Sequence, residues 1–233
     1  AFSGRNFEYY SEDGVLSGAM AANAIAGAQE HGVYAYMKHF ALNDQEGNRN
    51  CMVATWSNEQ AIREIYLKPF EMSVKDADCH AVMSSFNYIG NRWAGGCSEL
   101  LQNVLRGEWG WDGVIVSDWG SVAEMIPHGV AEDKKQAALL AVKNECDIDM
   151  EGGCYPSSLE ELVKEGKVSE KEIDRSVRRI LRLKYELGLF DDPYRYCDEQ
   201  REKEVTLSAA HRETTRDMAR KSIVLLENRK SVL

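Results

Sequence analysis

From Gly14 to about Leu189 short apolar runs alternate with longer stretches whose apolar residues recur at helical spacing. Ser11 to Glu30 is Ala-rich, with Leu16, Met20, Ile25 and Ala28 on one face, and Gly32 ends it. Val33 to Phe40 then reads as a strand. Asn58 caps a predicted helix from Glu59 to about Lys75. Ala81 to Phe86 is the next strand, and Ser98 is placed to cap a helix through Leu105. Val114-Ile115-Val116 is apolar on both faces, as in a parallel strand covered by helices. Lys134 to Lys143 is helical, Cys146 to Met150 a strand, and Ser157 to Lys164 a helix. A last helix, Ser169 to Leu187, opens with Ser169 and Glu172 at capping-box spacing.

Strand-helix alternation of this kind implies an α/β fold with a parallel sheet and right-handed crossovers. Polar groups gather where the strands end: Lys38-His39, Ser85-Phe86-Asn87 and Ser117-Asp118-Trp119. A barrel brings every such end to one face, whereas an open sheet brings together only those near its switch point. No Gly-rich phosphate loop follows any strand. The pattern therefore predicts part of a (β/α)8 TIM-type barrel over residues 1-190. Residues 191-207 are charged, lack apolar periodicity and read as a linker. Residues 208-233 hold a helix capped by Ser208 and a predicted strand over Ser222 to Glu227. One helix and one strand cannot make a domain, so the chain is expected to continue beyond Leu233.

Composition narrows the classes. The net charge of −10, with acidic residues spread throughout, gives no basic face for nucleic acid. The apolar runs are too short to span a membrane as a helix. Six cysteines at 51, 79, 97, 146, 154 and 197 form no C-x-x-C pair, and the five histidines do not join them at metal-ligand spacing. No metal or cofactor is expected. Free thiols are the expectation, although Cys146 and Cys154 flank a loop across which an oxidising compartment would let them pair. The first residue is not Met, so the start says nothing about secretion. Cytoplasmic, periplasmic and secreted locations stay open, as does oligomeric state.

Asp118 is the first candidate for chemistry. Glycoside cleavage needs a carboxylate beside an oxocarbenium-like centre, aromatic surface for a sugar face and donors for hydroxyls. Asp118 has Trp119 beside it and Lys38-His39 at another strand end. Taken alone, a Ser-Asp pair at a strand end reads more readily as a helix cap.

Its surroundings decide. Gly4-Arg5-Asn6-Phe7-Glu8, then Lys38-His39-Phe40-Ala41 with Asn43, Gln45-Glu46 and Arg49, resemble successive motifs of glycoside hydrolase family 3. So do Val82 to Asn87, Leu105 to Trp111, and Val114 to Trp119. Gly166 to Ser169 and Leu187 to Asp191 resemble the stretch closing that family's barrel, and Ala219 to Leu226 the entry to its second, α/β sandwich domain. The resemblance implies a retaining β-glucosidase acting by double displacement, with Asp118 as nucleophile. It makes Arg5, Lys38, His39 and Arg49 donors to sugar hydroxyls; Phe86 is expected with them as a substrate-binding residue, and Trp119, an aromatic at a strand end, as a stacking surface. The implied substrate is an oligosaccharide or aryl β-glycoside.

Each residue also has a plainer reading: Lys38-His39 as a strand end meeting water, Arg49 as a loop ion pair with Glu46, Arg5 as a surface residue, Trp119 as barrel-rim packing. Trp109 and Trp111 are expected in the outer shell, and His128 and Glu151 on loops bordering the pocket. Many relatives carry Tyr at the position of Phe86, which lacks the hydroxyl that would contact the nucleophile. The general acid/base is expected beyond Leu233, and the early strands with a sugar-binding Asp before Ala1, so the chain alone is expected to be inactive. A β-xylosidase, or a non-catalytic carbohydrate-binding or scaffold protein, are the alternatives. An N-acetylglucosaminidase is disfavoured because Ala41-Leu42-Asn43-Asp44 stands where that group has Pro-Gly-His.

Overall fold

The computed structural model describes residues 4–49 and 52–231. It divides into two compact units, Ala1–Gly188 and Leu189–Leu233.

In the first unit, helix α1 (Gly14–Glu30) starts at Asp13, whose side chain accepts from Leu16 N. It leads to strand β1 (Tyr36–Phe40). After β2 (Ala54–Thr55), helix α2 (Glu59–Ala61) is capped by the Asn58 side chain, as the sequence predicts. It runs through a wide π-helical turn, Ile62–Tyr66, into α3 (Lys68–Ala77). Strand β3 (Ala81–Ser84) follows, then a small hairpin of β4 (Tyr88–Ile89) and β5 (Arg92–Trp93). The helix Glu99–Glu108 is also π-wound. Ser98 does not cap it: Ser98 has helical dihedrals, and its hydroxyl turns to Glu99 instead. Extended Cys97 supplies the carbonyl that receives Leu100 N and Leu101 N.

Strand β6 (Val114–Val116) is buried along its whole length, as a run apolar on both faces requires. Helices α4 (Lys134–Lys143), α5 (Cys154–Lys164) and α6 (Glu170–Glu186) complete the unit. At the start of α6, the Glu172 carboxylate accepts from Ser169 N at 2.8 Å.

The main sheet is parallel, in the order β1-β3-β6, and Ile148 bridges Val116 on its far side. Spatial order follows chain order throughout. The segment Cys146 to Met150, expected as a strand, bonds to β6 and the loop after it (Asp147 N and Ile148 N to Ile115 O, Ser117 N to Ile148 O) but forms a single ladder bridge, with the Asp147 side chain taking Ile115 N. Asp147 is completely buried and accepts from Ile115 N (2.8 Å), Arg106 (3.0 Å) and Arg179 (3.1 Å). Arg179 also reaches Asp112 and Glu145, so each guanidinium in this buried cluster meets carboxylates. Burial pulls the Arg106 guanidinium below its ordinary value despite those partners. The cluster lies at the entry end of β6, opposite Asp118. A second, smaller sheet of β2, β4 and β5 was absent from the hydrophobic pattern, since two-residue strands carry no period.

The core joins Phe40, Leu67, Val82, Leu101, Leu105 and Ile115. Trp111 is buried there, donating its indole N–H to the Cys79 carbonyl, and Trp109 packs edge-on to Phe40. Cys79, Cys97, Cys146, Cys154 and Cys197 are free thiols, so Cys146 and Cys154 do not pair. Cys51 lies outside the described residues.

The second unit contains α7 (Glu199–Val205), capped by Asp198 inside the stretch read as a linker, and α8 (Ala209–Ser222), capped by Ser208. The strand expected over Ser222 to Glu227 does not form: Ser222 ends α8, and Ile223 to Leu226 are exposed without a pairing partner among the described residues. A lone strand has no ladder to satisfy its backbone, which is the physical reason.

Candidate active site

The three parallel strands deliver their polar ends to one place. Asp118 follows β6 and His39 lies in the last turn of β1, with His39 Nε2 3.7 Å from Asp118 Oδ2. Burial drives the His39 imidazole down from 6.5 to about 4, against the opposing pull of Asp118 and with help from Lys38 and Arg5. His39 is thus neutral at neutral pH, and its approach to Asp118 is a dipolar contact rather than an ion pair. The register between β1 and β3 slips between Met37 and Phe40, and the Lys38–His39 and Phe40–Ala41 peptide bonds are cis.

The loop carrying Asp118 is fastened to its neighbour. Ser117 N donates to Ile148 O, Met150 N donates to Ser117 Oγ (2.9 Å), and Gly120 N donates to Met150 O. Asp118 Oδ1 accepts from Trp119 N at 2.7 Å. That bond fixes the carboxylate plane, while Oδ2 takes no hydrogen bond among the described residues. Trp119 is 66% exposed, so its ring is available at the rim rather than packed into it.

Asn87 and Ser85 hold the β1 end from the next strand. Ser85 Oγ donates to Ala41 O, and the Asn87 amide donates to Leu42 O at 3.2 Å. These supports satisfy carbonyls of an irregular loop; the sequence places Ser85 and Asn87 at a strand end, and the structure supplies their partners.

The two arginines converge on one carboxylate. Glu46 Oε1 is 3.1 Å from Arg49 and 3.9 Å from Arg5. Arg49 also reaches Asn43 Oδ1, and its guanidinium lies over the Phe86 ring at 5.2 Å from the centroid. Phe86 therefore supports a cation by its π face, a use for a ring without a hydroxyl. Arg5 is gripped by Glu8 at 2.6 Å, an i, i+3 acid that spacing alone would have flagged. Burial works against the Arg5 charge, and the bonds to Glu8 more than restore it. The Arg5 bond draws the Glu8 carboxyl below its ordinary range, with smaller contributions from Lys38 and His39, which places Lys38 in the same field. The Lys38 side chain is exposed.

His128 does not border a pocket. It is buried, with its ring 4.7 Å from that of Trp93, because Phe86, Tyr88 and Trp93 close around it. Glu151 lies in a left-handed turn and is exposed. Among the described residues no group of His, Cys, Asp or Glu is arranged to hold a metal. No helix among them is long and apolar enough to cross a membrane.

Known proteins are similar to this chain in sequence and in fold. The chain is 37% identical over 233 residues to beta-glucosidase B of Emericella nidulans, covering 99% of this chain and 25% of that protein. It is 35% identical over 240 residues to the periplasmic beta-glucosidase of Salmonella typhimurium, covering 99% of this chain and 31% of that protein. The crystal structure of beta-glucosidase from Listeria innocua in complex with glucose matches 97% of this chain and 32% of that one, with TM-score 0.88 and 33% identity. The chain thus spans about a quarter to a third of the length of these relatives. The family model for the glycosyl hydrolase family 3 N terminal domain matches residues 2–183, and the chain belongs to that family.

Proposed function

We propose that this chain is the nucleophile-bearing part of a retaining β-glucosidase, and that its parallel strands are a section of a (β/α)8 barrel. The observation that carries the reading is the meeting of Asp118 and His39 at adjoining strand ends, 3.7 Å apart, in a chain of this family. The strand order β1-β3-β6 followed by Ile148, never reversing, favours a barrel section over a doubly wound sheet.

In this mechanism Asp118 Oδ2 attacks the anomeric carbon while Oδ1 stays held by the Trp119 amide. The C–O bond to the leaving group breaks, and a carboxylic acid from outside this chain protonates the departing oxygen. Water activated by the same group then releases the sugar from Asp118. The two carboxyl groups of such a pair stand about 5–5.5 Å apart. Neutral His39, Lys38, Arg5 and Arg49 donate to the hydroxyls of the bound sugar, and Trp119 covers one of its faces. Arginine's rigid fork and lysine's compact cation suit those tasks. A β-linked glucoside, oligosaccharide or aryl, is the proposed substrate.

The test is stereochemical. The polypeptide that carries this chain together with the acid/base should release β-glucose first from an aryl β-glucoside, as followed by proton NMR before mutarotation. Initial release of α-glucose would exclude a covalent Asp118 intermediate. The 233-residue chain alone should show no turnover of the same substrate.

A further inference from the structure

Trp is among the residues whose rings are mostly covered in folded proteins. Trp56, directly after β2, is 76% exposed. Its indole rests on the turn of the β4–β5 hairpin. A Cβ at Gly90 would sit 3.5 Å from the ring, and Gly90 itself is left-handed, at φ +58°. The hairpin thus offers the ring a bare backbone floor, and the opposite face is open.

The platform beneath Trp56 is tied to the loop after β1 and to the segment that follows Asp118. Gly90 N donates to Thr55 O at 2.8 Å, and Thr55 Oγ1 donates to Leu42 O on the loop after β1. Tyr88 donates to His128 O at 2.6 Å, on the segment that follows Asp118. Trp93, paired with Tyr88, meets Phe86 edge-on at 5.5 Å, and Phe86 underlies Arg49. Gly90 lies four residues from Phe86, so at about 3.3 Å per residue their Cα atoms are within about 13 Å, and the Trp56 ring lies against Gly90. Leu42, which Thr55 bonds, lies three residues beyond His39, so the loop that follows His39 connects the platform of the ring to the candidate site.

We propose that Trp56 is the stacking platform of an outer leaving-group subsite for a β-linked oligosaccharide. The proposal rests on the glycosidase reading. The surroundings favour a sugar over an apolar partner. Exposed Asn91 and Arg92 follow Gly90, with Arg92 3.6 Å from Glu99, and exposed Ser57 follows Trp56, while the Asn58 side chain caps α2. One aromatic face fringed by hydrogen-bonding groups is the composition of a carbohydrate site. A protein-docking patch would need contiguous apolar area of a few hundred Å². Because the floor is fixed by the hairpin, binding costs little ordering.

The experiment compares kcat/KM of the polypeptide carrying this chain and its acid/base, unsubstituted and as Trp56→Ala and Trp56→Phe. The substrates are an aryl β-glucoside, a β-linked disaccharide and the matching tetrasaccharide. Trp56→Ala should lose roughly 3- to 10-fold on the tetrasaccharide, the scale of one aromatic contact. It should stay within about twofold on the two short substrates, and Trp56→Phe should recover most of the loss. An equal loss on all three substrates, or none on any, would overturn the subsite. So would a lowered Tm of Trp56→Ala without a chain-length effect, which would mean that other parts of the polypeptide cover the ring. No hydrolysis of any substrate by the unsubstituted protein would overturn the glycosidase reading, and the subsite with it.

Discussion

Buried His39 links the site to a measurable pH dependence. Its imidazole titrates at about 4 in the folded chain and at 6.5 when free of its surroundings, with burial as the main cause. Between those values the unfolded chain holds a proton that the folded chain does not, so stability falls as pH falls. The contribution is fully present above 6.5 and fully lost below about 4. Integrated between about pH 7.5 and about pH 5, this group costs the folded state about 2 kcal/mol, and about 3 kcal/mol in total. His39→Gln keeps a polar side chain and removes the titration. Urea unfolding of the purified chain at both pH values should show the wild type losing about 2 kcal/mol more than the variant over that interval. The double difference cancels the carboxylates, which titrate in both proteins. Parallel losses, or an imidazole NMR titration centred near 6.5 in the folded chain, would refute the reasoning.

Three further outcomes follow from the same geometry. Asp118→Asn should lower turnover of an aryl β-glucoside by several orders of magnitude in steady-state assays, since the covalent step disappears. Phe86→Leu removes the π face under Arg49, worth about 0.5–1 kcal/mol, so KM should rise about two- to fivefold with kcat nearly unchanged. Asp147→Asn leaves Arg106 and Arg179 short of a buried charge. It should cost about 3–5 kcal/mol in chemical denaturation, although it touches nothing at Asp118.

Legibility in the sequence followed the physics of each segment. Val114-Ile115-Val116 was readable because burial on both faces leaves a continuous apolar run, and Asn58 because a cap needs one oxygen at one spacing. Asp118 and His39 stood out as polar groups at predicted strand ends, while their roles and the two arginines came from the family motifs, since no periodicity carries loop residues to a strand end. The β2-β4-β5 sheet, the role of Cys97 in place of Ser98, and the turned-in Asp147 depend on contacts between distant segments. Ile223 to Leu226 has the composition of a strand but lacks a partner to pair with among the described residues. His128 lies in a turn, as expected, but three aromatic rings bury it there instead of leaving it at a pocket edge.

The central claim is that Asp118 bonds to the sugar. A 2-deoxy-2-fluoro β-glucoside with a good leaving group should inactivate the polypeptide that carries this chain and its acid/base. Peptide mapping by mass spectrometry should then find one fluoroglucosyl group on the peptide containing Asp118. A label on the Glu46 peptide, or on none while hydrolysis continues, would contradict the account.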